Sequence, residues 1–530
     1  MHQLRIESGR IWRGAFILTV AALFVKILSA VYRMPYQNFA GDVGFYVYQQ
    51  VYPFYALAVA LGGTGFPIVI SKYIAESGRN KGIGEEATVR RHARIALFFL
   101  CGLIFVVLVL GAEPLTEVMG DQHLAPLLRT AAWVYLFVPF SAVLRGGFQG
   151  KDENMVPTAV SQIGEQVVRV SLIIGSSWFL FLHHGGAYQF GEAAITGSAI
   201  APAASLLILI LFIRKGTNRD VQEVPVNRSI NWRLIGSLLL GGSVFSILAL
   251  PLVLFQLVDS LSVIRLLHHA QIAEPRQAKG IYDRAYLLTQ FGMIAAASLT
   301  ASIVPGLAKL AARRKVQEIR RQATLALKIS LAFGLAAACG LAAISGPVNI
   351  MLFRNDRGAV TFAIIAFTLL TLSVILTTSG MFEAAGHPVL PFLFLCLGAA
   401  VKLILNICLI PHFSIAGAAL ATCLATLLTA GLNSFALLRM RLINRIPTAA
   451  LLKLAAASGV MLTAVYLFGR SHLPFGGSSR LAETATALVG AAGGAVLFIA
   501  LLILLRYFTP NDIARLPLTG KLGMRRPSDL

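Results

Sequence analysis

Apolar stretches of about 20 residues recur along almost the whole chain, from Ile11 to the neighbourhood of Arg506. A bilayer core of roughly 30 Å is crossed by about 20 apolar residues in a helix, and a lipid-exposed backbone must satisfy its own hydrogen bonds. Because 57% of the 530 residues are hydrophobic and only 13% are charged, the polar surface is too small to cover a water-soluble globule. We therefore expect an all-α, polytopic membrane protein.

The hydropathy pattern places fourteen transmembrane helices in the chain. They are expected at 11–34, 46–71, 95–111, 124–144, 156–182, 191–213, 234–262, 281–308, 322–345, 359–384, 389–409, 414–438, 454–469 and 482–505. A first span that follows several arginines resembles a secretion signal, but this one is long and leads directly into further spans. We expect it to be retained.

The formal charge of +22 would suggest nucleic-acid binding in a soluble protein, but the position of the cations decides its meaning. Most of the 45 Lys and Arg residues fall in alternate loops and at the termini, above all in 72–94, 309–321 and 506–526, whereas 112–123 contains none. The positive-inside rule then predicts a multi-pass membrane protein with both termini in the cytoplasm. The basic loops are expected to meet anionic lipid headgroups.

Two motifs recur at a constant offset, which indicates an internal duplication. GFYVY at 44–48 resembles GIYDR at 280–284, and GFQG at 147–150 resembles MFEAAG at 381–386, with both offsets near 236 residues. An even number of helices per repeat gives two parallel halves with a substrate path between them, so one chain is sufficient and we expect a monomer. The predicted parts are an N-lobe at 1–215, a C-lobe at 216–445, two extra helices at 446–510 and a basic cytoplasmic tail at 511–530.

Motifs for ATP hydrolysis and for zinc chemistry are missing from the sequence, which contains neither GxxxxGK[ST] nor HExxH. The five cysteines fall inside apolar spans without CxxC spacing, which favours a packing role. An enzyme acting on a lipid-linked sugar would need an acid-base or metal constellation, and we find none. We therefore expect a transporter that uses no cofactor, metal or nucleic acid.

Charged side chains inside the spans are the main functional signal, because each costs about 2.5 to 3.5 kcal/mol at the bilayer centre and usually faces an aqueous cavity. Lys26 and Arg33 lie seven residues apart, on one helical face. Arginine offers bidentate hydrogen bonds to a phosphate and lysine a point charge. We predict that Lys26, Arg33, Arg145 and Arg284 bind a substrate diphosphate on its way from the inner to the outer leaflet. A polar or ion-coupling role in the cavity is assigned to Asp42, Glu165, Arg169, Gln256, Asp259, Asp283, Lys402 and Asn406.

A structural role as neutralised ion pairs is the alternative for several of these charges. The pairs expected in that case are Glu165 with Arg169 and Asp259 with Arg284.

A hinge is predicted within the second span, where Gly62, Gly63 and Gly65 precede Pro67. Proline removes a helical hydrogen bond and favours a kink, and Pro305 occupies the matching place in the second half. Close helix packing through the small residues is the alternative.

Several longer motifs resemble the YtgP/SpoVB branch of the MOP exporter superfamily. They are VYRMPYQNFAGD at 31–42, GFYVYQQVYPFY at 44–55, RGGFQG at 145–150, GIYDR at 280–284 and KLILN at 402–406. The resemblance extends over roughly residues 10–510. It implies a MATE-like fold with two lobes around a cationic cavity, fourteen helices in place of the twelve of drug-exporting MATE relatives, and a groove for a polyprenyl tail formed by the last two helices.

By the same resemblance, the chain would be a MurJ-like flippase of the bacterial cytoplasmic membrane. It would carry lipid II, a polyprenyl-diphosphate-linked peptidoglycan precursor, to the outer leaflet by alternating access driven by a coupling ion or the membrane potential. Lys26, Arg33 and Arg284 would contact the diphosphate. Its partners would be the lipid-linked substrate, membrane lipids and cell-wall synthesis proteins. The alternatives are a flippase for another polyprenyl-linked polysaccharide or for a sporulation-specific cell-wall precursor, a MATE-type drug or cation antiporter, and a scaffold that transports nothing.

Overall fold

A computed structural model describes residues 2–80, 83–150, 155–216, 229–313, 315–470 and 480–513, which contain helices and turns and no β-strand. The helices are α1 His2–Val31, α2 Arg33–Ala60, α3 Phe66–Asn80, α4 Ile83–Leu110, α5 Ala112–Met119, α6 Ala125–Ala132, α7 Val134–Gly150, α8 Val156–Leu182, α9 Ala187–Gly216, α10 Trp232–Leu248, α11 Pro251–His269, α12 Pro275–Ala312, α13 Val316–Ala343, α14 Ser345–Phe353, α15 Ala359–Ala366, α16 Thr368–Ala384, α17 Val389–Arg439, α18 Thr448–Arg470, α19 Arg480–Leu504 and α20 Pro510–Ile513. The predicted all-α class is confirmed.

Twelve helical segments of the described residues are long and apolar enough to cross a membrane. Two of these segments, Ile17–Ser77 and Val389–Arg439, are much longer than a bilayer requires. Each contains one residue with non-helical backbone angles, Gly41 in the first and Ser414 in the second. Gly41 lies in the predicted loop 35–45, and Ser414 directly follows the predicted loop 410–413. The protein is therefore a multi-pass membrane protein, and the number fourteen stays a prediction.

The seventh predicted span, 234–262, consists of two helices. Helix α10 ends at Leu248 and α11 begins at Pro251, and the intervening Leu250 has φ −130° and ψ 51°. Proline is well suited to the first turn of α11, because an N–H at this position has no helical partner. The hydropathy profile showed one span because both helices are apolar.

The described residues divide into two compact units. One lies within Met1–Ile294 and Pro391–Ala421, the other within Ala295–Leu390 and Thr422–Leu530, so α12 and α17 contribute to both. The predicted lobe boundaries stay a prediction.

Aromatic residues of α2 fill the core of the first unit. Tyr36, Phe45, Tyr46 and Tyr48 are fully buried there, and the rings of Tyr36 and Tyr48 meet edge to face with centroids 5.2 Å apart. Hydroxyl pairs join helices in the second unit: Ser330 and Ser373 are 2.8 Å apart, and Thr371 donates to Thr426 at 2.7 Å. Such pairs are typical of helix packing in membranes, where apolar burial alone provides little driving force.

The outer surface is apolar along the spans. Helix α4 exposes large hydrophobic side chains along one side, among them Phe99 at 70% and Leu110 at 77% exposure. A continuous apolar face of this kind is unfavourable in water and favourable in lipid. The structure thus agrees with the membrane environment expected from composition.

Candidate functional site

Arg33 stands at the first position of α2 and is fully buried. Its guanidinium carbon lies 4.2 Å from the ring centroid of Tyr52, which is a cation–π contact. Among the described residues, none of its three nitrogens has a hydrogen-bond partner. A buried guanidinium without such partners is costly, since it has lost the water that would otherwise solvate it.

Arg169 of α8 lies beside Arg33 and is 3% exposed. It donates to the hydroxyls of Tyr32 at 2.6 Å and Tyr48 at 3.0 Å, and to the side-chain oxygen of Gln166 at 3.3 Å. Its guanidinium also lies 5.7 Å from the ring of Tyr52. These residues, Arg33, Arg169, Gln166, Tyr32, Tyr48 and Tyr52, form what we call the arginine–tyrosine cluster.

The arginine–tyrosine cluster is rich in unused donors. Arg33 contributes its three nitrogens, Arg169 its Nε and Gln166 its Nε2, all of them buried and without partners in the described part of the chain. No carboxylate lies within ion-pair distance of either arginine in that part. An anion with several acceptor oxygens would satisfy both the charge and the donors.

Arg145, also predicted to bind the diphosphate, is engaged in protein contacts on every nitrogen. It donates to Glu165 at 2.7 Å, Ser205 at 2.6 Å, Ser161 at 3.2 Å and the carbonyl oxygen of Gly62 at 3.1 Å. The expected pairing of Glu165 with Arg169 is therefore wrong, because Glu165 faces α7 and not its own helix. This geometry favours a structural role for Arg145.

The predicted hinge is a π-helical turn at Leu61–Gly65, between α2 and α3. A π turn holds one extra residue, which displaces the regular hydrogen bonds, and Pro67 has no N–H to offer the carbonyl of Gly63. The free carbonyls are taken by neighbouring helices: Arg145 binds Gly62, and Gln162 of α8 donates to Gly63 at 3.0 Å. The missing N–H of Pro67 thus explains why the carbonyl of Gly63 is free to bind Gln162. No role was assigned to Gln162 from the sequence.

A third predicted cation, Arg284, is paired with Asp42. Arg284 is 2% exposed and lies on α12, while Asp42 follows the backbone break of Gly41 and also accepts a hydrogen bond from Gln37 at 3.0 Å. The expected pairing of Arg284 with Asp259 is wrong for this reason. Asp42 neutralises Arg284 in this conformation.

Asp259 of α11 accepts hydrogen bonds from two other helices. Lys402 of α17 lies 2.6 Å from its Oδ2, and Tyr282 and Tyr286 of α12 donate to the same oxygen at 2.8 and 2.7 Å. Asn406 donates to Oδ1 at 3.2 Å. The structure therefore brings together three predicted cavity residues, and it adds two tyrosines whose four-residue spacing in the sequence was the available signal.

The remaining predicted residues lie apart from these clusters or are only partly satisfied. Asp283 is paired with Lys279, one turn earlier on α12. Gln256 is 6% exposed, and its amide oxygen and nitrogen lack partners among the described residues. Lys26 is exposed, unlike Arg33, so the polar face predicted on the first span is not uniformly buried. The side chain of Pro305 lies outside the described residues.

Comparisons with known proteins place the chain in a family. Residues 11–311 match the family described as polysaccharide biosynthesis protein. Three relatives come from Bacillus subtilis (strain 168). An uncharacterized membrane protein, YabM, is 37% identical over 98% of both chains; stage V sporulation protein B is 26% identical over 97% of this chain and 99% of its own; the lipid II flippase MurJ is 23% identical over 79% and 80%.

A solved structure of a lipid II flippase MurJ in an inward closed conformation has the same fold, with a TM-score of 0.64 over 92% of this chain and all of that chain. The two chains are 17% identical, so this similarity concerns the fold alone. The sequence resemblance to the MOP exporters and the MATE-like fold that it implied are confirmed. With more than half of its length matching the family and a relative of 37% identity along its full length, the chain belongs to the polysaccharide biosynthesis protein family.

Proposed function

We propose that the chain is a flippase that moves a polyprenyl-diphosphate-linked cell-wall precursor, lipid II, from the inner to the outer leaflet. The observation that carries this proposal is the arginine–tyrosine cluster. Arg33 and Arg169 are buried cations with no carboxylate partner in the described residues, and they are accompanied by five unpaired donor nitrogens. A diphosphate has the negative charge and the several acceptor oxygens that such a cluster lacks.

The contrast with the other buried cations strengthens the proposal. Arg145, Arg284 and Lys402 are each neutralised by a carboxylate, of Glu165, Asp42 and Asp259 respectively. A neutralised ion pair attracts a diphosphate only weakly, whereas an unpaired buried cation attracts it strongly. In this proposal Lys26, exposed on α1, makes an early contact with the substrate, and Arg33 and Arg169 hold it. Arg284 joins them only when Asp42 releases it.

A MATE-type exporter of cationic drugs is less well supported. Binding an organic cation requires a carboxylate that is not already neutralised, but the three aspartates predicted to lie in the cavity, Asp42, Asp259 and Asp283, are each paired with a cation. The sporulation-type flippase has the relative of stage V sporulation in its favour. A sporulation-type flippase would bind a diphosphate in the same way. The two alternatives therefore differ in the precursor that is carried and not in the mechanism.

The experiment is rescue of a bacterium depleted of its lipid II flippase, with lipid II scored in the outer leaflet at matched membrane expression. We expect the wild-type chain to rescue and Arg33→Gln and Arg169→Gln not to do so. Arg129→Gln is the control, because Arg129 is an exposed arginine paired with Glu113. Failure of a correctly inserted wild-type chain would overturn lipid II as the cargo in favour of another polyprenyl-linked glycan. Rescue by both variants would refute the role of the cluster.

A further inference from the structure

One face of α12 makes three contacts that have no role in the proposed binding of the diphosphate. Arg276, Gly280 and Arg284 are four residues apart, so they lie above one another on the helix. Arg276 binds Asp121, Gly280 packs on the backbone of Asp42, and Arg284 binds the carboxylate of Asp42. We call these five residues the outer seam, because the loop 112–123 and the start of α12 both lie on the side predicted to face outward.

Asp121 is the anchor of the outer seam, and its side chain is fully buried. It accepts hydrogen bonds from Tyr46 of α2 at 3.0 Å, Tyr188 of α9 at 2.5 Å and Arg276 Nε at 3.1 Å. The backbone N–H and the ring of His123 contact its other oxygen, each at 3.3 Å. One carboxylate therefore joins three helices and its own loop.

Gly280 is the point of closest approach in the outer seam. A Cβ atom at this position would overlap the carbonyl oxygen of Asp42 and would lie 2.8 Å from its carbonyl carbon. Gly41, which precedes Asp42 in the chain, has φ 68°, a conformation that favours glycine. Helix α12 and the backbone of Asp42, which directly follows the break at Gly41, are thus in contact, and a side chain at position 280 would prevent it.

One of the two ion pairs of the outer seam, Arg276 with Asp121, can break without a large penalty. Arg276 is 39% exposed, so water can solvate it as soon as it leaves Asp121. Asp121 would then keep Tyr46, Tyr188 and the N–H of His123 as donors. Neither partner becomes a buried, unsatisfied charge, which is the condition that makes most buried pairs difficult to break.

We propose that the outer seam is a latch that closes the outward end of this unit and opens to let the cargo leave. The proposal rests on the proposed function only for the direction of transport. The latch itself is a property of α2, the loop before α6 and α12. It assigns to Asp121, Arg276 and Gly280 a role in conformational change and none in binding the diphosphate.

The test is a distance measurement on the full chain in lipid nanodiscs, with spin labels at Glu117→Cys and Ala273→Cys after replacement of the five native cysteines. Both label sites are exposed, on the two sides of the latch. We expect one short distance for the parent chain, and at least a threefold larger population of a longer distance in Arg276→Gln and in Gly280→Ala. Arg265→Gln, an exposed arginine at the same end, is the control and should match the parent.

Unchanged distances in both variants would refute the latch. If Gly280→Ala fails to fold, Arg276→Gln still decides, because Arg276 is partly exposed and its removal leaves Asp121 with other donors. The measurement needs no substrate, so it separates the two proposals. A chain that fails to rescue the depleted bacterium but opens in these variants keeps the latch and loses lipid II as its cargo.

Discussion

The ammonium of Lys402 lies 2.6 Å from Oδ2 of Asp259, and the two side chains are 0% and 1% exposed. The pair joins α11 to α17 within one unit, and the carbonyl oxygen of Phe255 binds the same ammonium at 2.9 Å. The hydroxyl of Tyr286 is a third acceptor, at 3.2 Å. A lysine held by three oxygens in this way cannot exchange its partner without leaving charges buried.

Removal of Lys402 alone should therefore destabilise the protein. We expect Lys402→Met to cost about 3 kcal/mol, since breaking a buried pair strands the opposite charge. Asp259→Asn combined with Lys402→Met should recover much of this loss. Thermal unfolding in one detergent for the two single variants and the double variant measures the coupling; additive losses in the double variant would contradict a direct pair.

The hinge glycines should differ in their tolerance of a methyl group. A Cβ on Gly65 would overlap the hydroxyl of Ser246 and lie 2.5 Å from the carbonyl oxygen of Gly242, whereas a Cβ on Gly63 has no neighbour closer than 3.6 Å. We expect Gly65→Ala to cost about 1 to 3 kcal/mol by overpacking, and Gly63→Ala to be nearly neutral. Thermal unfolding of the two alanine variants checks this, and equal losses would argue against the packing of α10 on the turn.

Gln162 should be needed for the π turn because it binds a carbonyl that Pro67 leaves free. Gln162→Leu has a similar size but no donor, so the carbonyl of Gly63 would be buried without a partner at a cost of about 1 to 3 kcal/mol. In Gln162→Leu combined with Pro67→Ala, an N–H is restored at position 67 and part of the loss should return. Thermal unfolding of the single and double variants measures this recovery of stability. If none occurs, the side-chain amide of Gln162 has a role other than binding the carbonyl of Gly63.

The arginine–tyrosine cluster should distinguish a guanidinium from an ammonium. Arg33→Lys keeps the charge but loses the planar fork that fits phosphate oxygens, so we expect about tenfold weaker binding of undecaprenyl diphosphate. Arg33→Gln should bind more weakly still. Native mass spectrometry of the purified chain can measure this, with Arg129→Gln as the control; equal affinity of all three variants would exclude Arg33 from the site.

The segment after α19 should be sensitive to acid. Partial burial raises the pKa of Asp512, but the hydrogen bonds from Lys328 at 2.9 Å and from Thr509 outweigh this effect and leave the pKa below its ordinary value. The stabilisation by Asp512 is therefore complete above roughly pH 3.9 and is lost as the pH falls through the lowered pKa. Between pH 5 and 3 the melting temperature of the wild type should fall more than that of Asp512→Asn. Glu117→Gln, an exposed carboxylate elsewhere, should behave as the wild type.

The sequence predicted the all-α, multi-pass fold because membrane helices are specified by their length and apolarity, which are local properties. It also found the charged residues worth examining, since a charge within a span is rare. It could not give their partners. Glu165 lies four residues before Arg169 on α8, yet it binds Arg145 of α7, because the choice depends on which helix is adjacent.

The contribution of tyrosine to the site was also difficult to foresee. Tyr48, Tyr52 and Tyr55 share one helical face, a spacing that is more often part of a packed core. Only the structure shows two guanidinium groups on the ring of Tyr52.

The π turn of Leu61–Gly65 affects the helix beyond it. Each residue advances an α-helix by about 100°, so the one extra residue of a π turn rotates everything that follows relative to an uninterrupted helix. This offset determines which residues of α3 face the protein interior, among them the buried Phe66 and Ile70. If the turn became regular α-helix with all five of its residues kept, the second half of the helix would face the wrong neighbours. The direction in which α3 faces thus depends on the number of residues in the π turn as well as on its glycines.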